Sequence, residues 1–287
     1  MISKIEYQAV ADCVEISNAD IRVVVSMTFG PRILSYRLNG GENVLGWHPH
    51  AEVNTDLGIW KPYGGHRLWI APEDMPRSYT PDNDSVDVNV VDDLSAIFTQ
   101  RAEPFSNTQK QISIKLDEVG SGVRIDHKII NLGEDLMEIS AWALTIMAAG
   151  GEAIVPNEPF APYSHNDLLP VRTMALWPYT DLTDPRWKFR KDSIGLRVDE
   201  SIRSPQKFGV LNKRGWAAYR WRGLMFVKRF EFIEGSIYPD MNSNVEVYTD
   251  GGFVELETLS PMTAVSPGGS VSHVERWELS TETEDLF

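Results

Sequence analysis

The sequence predicts an all-β protein, a large antiparallel sandwich spanning residues 1–287 as one domain. Three observations carry that expectation. Apolar and polar residues alternate with a period of two over most of the chain, amphipathic helical patterns are missing, and strand-like runs recur at short spacing between Gly-, Asn- and Asp-rich turns. No repeat, low-complexity run or linker divides the chain, and one extended double sheet accounts for the length better than two small domains.

The predicted strands run in order. Residues 21–25 carry a β-branched, buried end, and residues 32–38 follow, closed by Asn39-Gly40-Gly41. Residues 85–90 and 110–116 alternate strictly, and residues 123–130 and 137–147 add two long strands. In the last third, residues 215–219, 224–232, 244–248, 253–258 and 270–279 repeat the pattern. Between them, residues 156–190 form a long irregular stretch rich in Pro, Asn and Asp, the kind of segment that in a compact β protein often serves function.

Composition excludes several roles. Twenty-seven basic residues against 41 acidic ones give a net charge of −14, with no basic cluster to follow a nucleic-acid backbone or an anionic membrane. A neutral or cationic ligand suits that charge. The single cysteine, Cys13, rules out an intrachain disulfide and multi-cysteine zinc sites, and its strand-like surroundings read as a small buried hydrophobe. No export signal and no run of about 18 apolar residues is visible, so the cytoplasm is the expected compartment.

The segment 244–257 is the most informative. Asp250-Gly251 is a two-residue hairpin signal, which pairs Thr249 with Gly252 and, continuing, Glu246 with Glu255. One face then carries Val245, Val247, Val254 and Leu256; the other carries Asn244, Glu246, Tyr248, Phe253, Glu255 and Glu257. Opposed carboxylates destabilise a sheet unless water, a cation, a shared proton or a ligand intervenes. Two readings fit: a solvated face, or a polar concave surface that grips a hydroxylated ligand. Lys228 and Arg229, on opposite faces of one strand, are the candidate counter-charges; Lys228 shares its face with Phe226, Phe230 and Phe232, with snorkelling to a sheet edge as the alternative.

The segment 61–73 is the second. Gly64-Gly65 lets the backbone turn tightly or pass close to a ligand, and His66, Arg67 and Trp69 follow at once. Planar hydrogen-bonding groups beside an aromatic face suit a sugar ring, while an exposed β-turn explains the same residues equally well. His48-Pro49-His50 has the spacing of a metal-binding pair, but its proline and loop context favour a surface turn; His127 and His273 read as strand residues, and His165, inside the irregular stretch, as able to reach a cleft. There is no His-Glu-x-x-His, P-loop or Gly-x-Ser-x-Gly pattern, which removes most support for zinc-dependent, nucleotide and α/β hydrolases.

Taken together, residues 28–36, the Tyr63-Gly64-Gly65-His66-Arg67-Leu68-Trp69 segment and the closing stretch from Phe253 through Pro261 and Pro267-Gly268-Gly269 to Leu279 resemble the galactose mutarotase-like (aldose 1-epimerase-like) superfamily, in an uncharacterised branch of it. The resemblance implies a supersandwich with a concave sugar-binding face. It also implies acid–base interconversion of anomers, in which a late glutamate takes the proton of the anomeric hydroxyl and a histidine protonates the ring oxygen. Glu257, placed before Thr258-Leu259-Ser260-Pro261, matches that glutamate. The mid-chain segment where the family carries its histidine corresponds to residues 139–147, which contain none; His66 is the substitute this sequence offers. On this reading Arg67 donates to hydroxyls, Trp69, Trp142 or Trp177 stacks on the ring, and Lys228, Asn244, Glu246 and Glu255 complete the polar surface. A small-molecule sugar or oligosaccharide is the expected partner, with no cofactor and no metal. The alternatives are a non-catalytic glycan- or metabolite-binding module and a structural protein of the same fold.

Overall fold

Period-two alternation sends every second side chain of a strand toward one face, and in this chain the inward faces of two large sheets meet. The computed structural model describes residues 1–281; the last six residues of the expected 1–287 domain lie outside the described residues. The first sheet has eleven strands. From one edge they are Ile2–Tyr7, Val10–Ser17, Ile21–Ser26, Arg32–Leu38, His66–Ala71, Met137–Met147, Val254–Leu259, Val245–Thr249, Gln206–Val210 and Met174–Leu176, with Thr263–Val265 added alongside Met137–Met147. The second has ten: Asp87–Asp92, Ser95–Thr99, Thr108–Leu116, Val123–Asn131, Ser270–Thr281, Leu224–Phe230, Trp216–Trp221, Glu152–Pro156, Ser193–Arg197 and Trp187–Phe189. All the pairings are antiparallel, and no described helix is long and apolar enough to cross a membrane.

One apolar core runs between the sheets. Val23, Tyr36 and Leu256 of the first meet Phe98, Ile125, Phe226 and Trp277 of the second. Cys13 is fully buried in a smaller cluster with Val24 and Leu34, as a packed hydrophobe. The clean alternators of the sequence, such as Thr108–Leu116 and Val123–Asn131, bury one face only. His66–Ala71 and Gln206–Val210 are buried at every position, which erases the alternation and hides them from a pattern reading. Two further short strands, Met174–Leu176 and Trp187–Phe189, lie inside the stretch read as irregular.

The late hairpin differs from the expected register by two residues. Thr249 pairs with Val254, Tyr248 with Glu255 and Glu246 with Glu257, so the loop is Asp250-Gly251-Gly252-Phe253. Polar caps explain the wider loop. Thr249 Oγ1 accepts from the Gly251 N–H and donates to the Phe253 carbonyl, and Asp250 accepts from the Gly252 N–H. An even slip keeps every side chain on its expected face, whereas a one-residue slip would have inverted the hairpin. At Gly65 the backbone has φ +69°, and a Cβ would lie 2.0 Å from the Ile33 carbonyl oxygen. The glycine there admits the neighbouring strand.

Charged groups sit in the middle of this core. Lys228, fully buried, lies 2.9 Å from Glu275 Oε1 and donates to the Leu256 carbonyl. Glu275 also accepts from Thr258 and from Trp277 Nε1. His66 Nε2 is 2.7 Å from His127 Nε2, and His127 Nδ1 donates to the His273 carbonyl. Burial holds the His66 and His127 imidazoles below their ordinary range and lowers His273 to about 3, so all three are neutral at physiological pH. Burial opposes the Glu275 carboxylate, but the adjacent Lys228 ammonium outweighs it and holds Glu275 low.

Removing one partner of a buried ion pair strands the other, at a cost of about 3–5 kcal/mol. Lys228→Met should therefore lower the unfolding free energy by about that amount, and Lys228→Met with Glu275→Gln should recover most of it. Urea denaturation followed by tryptophan fluorescence reads both; equal losses in the single and double variants would refute the pairing account.

Candidate functional site

The outer face of the first sheet is built in rows set by the strand register. Arg67 stands opposite Leu144, Leu144 opposite Glu257, Glu257 opposite Glu246, and Glu246 opposite Gly209. In the next row Ile146 faces Glu255, Glu255 faces Tyr248, and Tyr248 faces Lys207. A third row places Trp69 against Trp142 and Trp142 against Leu259. Over these rows lies a cavity of about 900 Å³. Its wall combines the sheet residues Arg67, Trp69, Trp142, Lys207, Tyr248 and Glu255 with loop residues, among them His48, Trp60, Glu73, Tyr79, Trp177 and Tyr179.

Aromatic rings dominate one side. Trp60, Trp69, Tyr79 and Trp142 pack with ring centroids about 5 Å apart, in tilted and edge-on arrangements. The Arg67 guanidinium lies 4.5 Å from the Trp69 ring centroid and 5.2 Å from that of Trp60. Its Nη2 donates to Glu255 at 2.7 Å, while Nε and Nη1 are buried without a hydrogen-bond partner.

The floor is ionic. Lys207 Nζ is 2.8 Å from Glu246 Oε2 and 3.5 Å from Glu257 Oε2, and it lies between the rings of Trp142 and Trp177. Trp142 Nε1 donates to Glu257 Oε2 at 2.8 Å. Glu257 Oε1 and Glu246 Oε1 have no hydrogen-bond partner. Burial drives Glu257 up to about 7, against the pull of Lys207, and Glu246 is driven well above the usual carboxylate range for the same reason. Burial pulls Lys207 down, but Glu257 and Glu246 outweigh it and hold its ammonium well above the usual range.

The structure brings together Arg67, Trp69, Trp142, Trp177 and Glu255 on the cavity wall, with Glu246 and Glu257 directly beneath it. It does not bring His66, Lys228 or Asn244 there. His66 is one residue from Arg67 on a strand and so points to the opposite face, into the core, where its Nδ1 meets Thr145 Oγ1 at 2.8 Å. Lys228 belongs to the second sheet and pairs with Glu275, so the expected counter-charge for the acidic face is instead Lys207. Asn244 clamps the backbone of Asn212, accepting from its N–H and donating to its carbonyl. His66, His127 and Glu275 do place ligand-type atoms within 4.8 Å of one another, a spacing a cation could use; the Lys228 ammonium already supplies positive charge there, and both Glu275 oxygens are engaged.

Sequence reasoning missed Lys207, because its strand is buried at every position and shows no burial alternation to read. It also misassigned His48. That residue pairs with Tyr63 in a short ribbon and lines the cavity, its ring 5.2 Å from Phe253 and its Nε2 buried without a partner. Burial lowers His48, against Asp250 and Glu255, so its imidazole is neutral at physiological pH. His165 is exposed and does not line the cavity. Trp60, Glu73, Tyr79 and Tyr179 come from loops, where no periodicity marks them.

No family model matches the chain, and no curated protein does. Solved structures do. A galactose mutarotase-like protein from Lactobacillus casei superposes with a TM-score of 0.61 at 10% identity, over 93% of this chain and 100% of that one. A galactose mutarotase-like protein from Clostridium acetobutylicum gives 0.55 at 11% identity, over 98% of both chains. A TPR-domain containing protein from Parabacteroides distasonis gives 0.63 at 12% identity, with 96% of this chain matching 48% of that one. The sheet order, the antiparallel double-sheet architecture and these superpositions establish that the chain has the galactose mutarotase-like fold.

Proposed function

We propose that the cavity binds a carbohydrate. The observation that carries this reading is the pairing of an aromatic wall with polar atoms left unsatisfied. Trp60, Trp69, Tyr79 and Trp177 offer flat apolar faces to a sugar ring, and Arg67 Nε and Nη1 are donors without acceptors. Buried polar atoms rarely stay unpaired, and hydroxyl oxygens would satisfy these. The size also fits, since a volume of about 900 Å³ lies near the upper end of the range for small-molecule sites. The solved galactose mutarotase-like proteins of the same fold support the same choice of ligand class.

A second reading, anomer interconversion, is favoured by Glu257. A general base works best with a pKa near the working pH, and this carboxyl is pushed up to about 7. Its Oε1 carries no hydrogen bond in a floor otherwise tied to Trp142 and Lys207. The proton donor expected from the sequence, His66, faces away. His48 is the imidazole on the wall; held neutral by burial, it serves in this reading as a hydrogen-bonding partner of the sugar rather than as a charged proton donor.

Binding is tested by calorimetry against a panel of mono- and oligosaccharides. Trp177→Ala, a half-buried loop position, should weaken the best ligand about tenfold, or ~1.4 kcal/mol, with the melting temperature unchanged. No heat with any sugar would end the carbohydrate reading.

Catalysis is tested by exchange NMR on aldose anomers. Glu257 must be ionised to accept a proton, and its pKa is raised, so exchange should increase as the pH climbs through about 7. Glu257→Gln should lower exchange by roughly 10²-fold or more while binding persists. A wild-type rate equal to the uncatalysed background across the panel would leave a binding protein.

A further inference from the structure

The charges around the cavity say more about its ligand. Four carboxylates, Glu73, Glu200, Asp250 and Glu255, share the wall with three cations, Arg67, Arg203 and Lys207. Glu246 and Glu257 lie directly beneath. Two of the cations are already committed: Arg67 to Glu255 at 2.7 Å, and Lys207 to Glu246 at 2.8 Å. Both also have aromatic rings over them, Arg67 with Trp60 and Trp69, Lys207 with Trp142 and Trp177. An anionic ligand reaching for Lys207 would have to displace a carboxylate from it, and one reaching the open nitrogens of Arg67 would share that guanidinium with the Glu255 carboxylate.

Glu73, Glu200 and Asp250 remain against Arg203. Glu73 and Glu200 are exposed on the rim, where an arriving ligand meets them first. Glu73 also accepts a hydrogen bond from the Tyr79 hydroxyl, which anchors one carboxylate beside the aromatic wall. Aromatic faces add to the same bias, because the π quadrupole attracts cations and repels anions. The net charge of −14 extends it beyond the cavity.

Resting on the carbohydrate reading, we infer that the site selects sugars bearing a protonated amine over their uncharged and anionic counterparts. The amine lodges against the rim carboxylates and the aromatic wall, while the ring hydroxyls meet Arg67. A phosphorylated or carboxylated sugar meets an acidic entrance and two cations already paired.

The test is calorimetry at low ionic strength with glucosamine, N-acetylglucosamine and glucose 6-phosphate. The first two differ chiefly in the charge on nitrogen. Glucosamine should bind roughly five- to tenfold tighter than its N-acetyl form, glucose 6-phosphate should bind weakest, and added salt should narrow the spread. Glu73→Gln with Glu200→Gln, both on the exposed rim, should remove most of the preference for glucosamine. N-acetylglucosamine or glucose 6-phosphate binding as tightly as glucosamine would overturn the charge selection and leave the carbohydrate reading standing. Binding of no sugar in this panel or the wider one would overturn the carbohydrate reading itself.

Discussion

The cavity floor depends on one ammonium. Glu246 and Glu257 face each other directly across neighbouring strands, both fully buried, and like charges so placed destabilise a sheet. Lys207, one strand further along and diagonal to Glu246, reaches both carboxylates. Its position is a matter of register. Lys207 stands opposite Tyr248, while the position opposite Glu246 is Gly209, where a Cβ would crowd Ser243 and approach the Glu246 side chain. The glycine clears the space into which the Glu246 side chain fits.

The same cluster sets the chemistry available above it. Trp142 lends its indole N–H to Glu257 and its ring face to Lys207, so one side chain ties the carboxylate and the ammonium to the wall. Burial favours the protonated form of Glu257 and Lys207 the ionised one, and the balance falls at about 7. A more exposed carboxyl would be ionised across the physiological range, and one without Lys207 would hold its proton more tightly. Neither would be as well poised to give and take a proton near neutrality.

Much of this was legible in the sequence, for identifiable reasons. The half-buried strands announced themselves by alternation, and the hairpin faces survived a two-residue error in register because only parity decides a face. Glu255 and Glu257 could therefore be placed together on one strand face, and Arg67 and Trp69 together on theirs, without coordinates; the strand order makes these a single outer face. Each failure has its own physical cause. Alternation gives a face but does not say which sheet that face belongs to. Lys228 and Lys207 are both lysines on buried strands, and only the topology puts the first between the sheets and the second above the acidic row. His66 enters the expected site only as the histidine next to the Gly64-Gly65 turn, and alternation along His66–Ala71 sends it to the face opposite Arg67. His48 lies in a two-residue ribbon too short to carry any period.

The strand Val254–Leu259 carries both ionic clusters, and comparing them separates structure from function. On its inner face the Leu256 carbonyl and Thr258 hydroxyl join Lys228, Glu275 and the histidines. There every buried polar side-chain atom has a partner, the histidines are held neutral, and the cluster is closed between two sheets. On its outer face Glu255 and Glu257 join Arg67, Lys207 and Glu246, and here donors and acceptors remain unpaired: two nitrogens of Arg67 and one oxygen each of Glu257 and Glu246. Both clusters bear the desolvation cost of buried charge, but only the inner one recovers it within the protein. The outer one leaves these atoms open at and beneath the cavity, and that difference between the two faces of one strand is what the proposed binding site rests on.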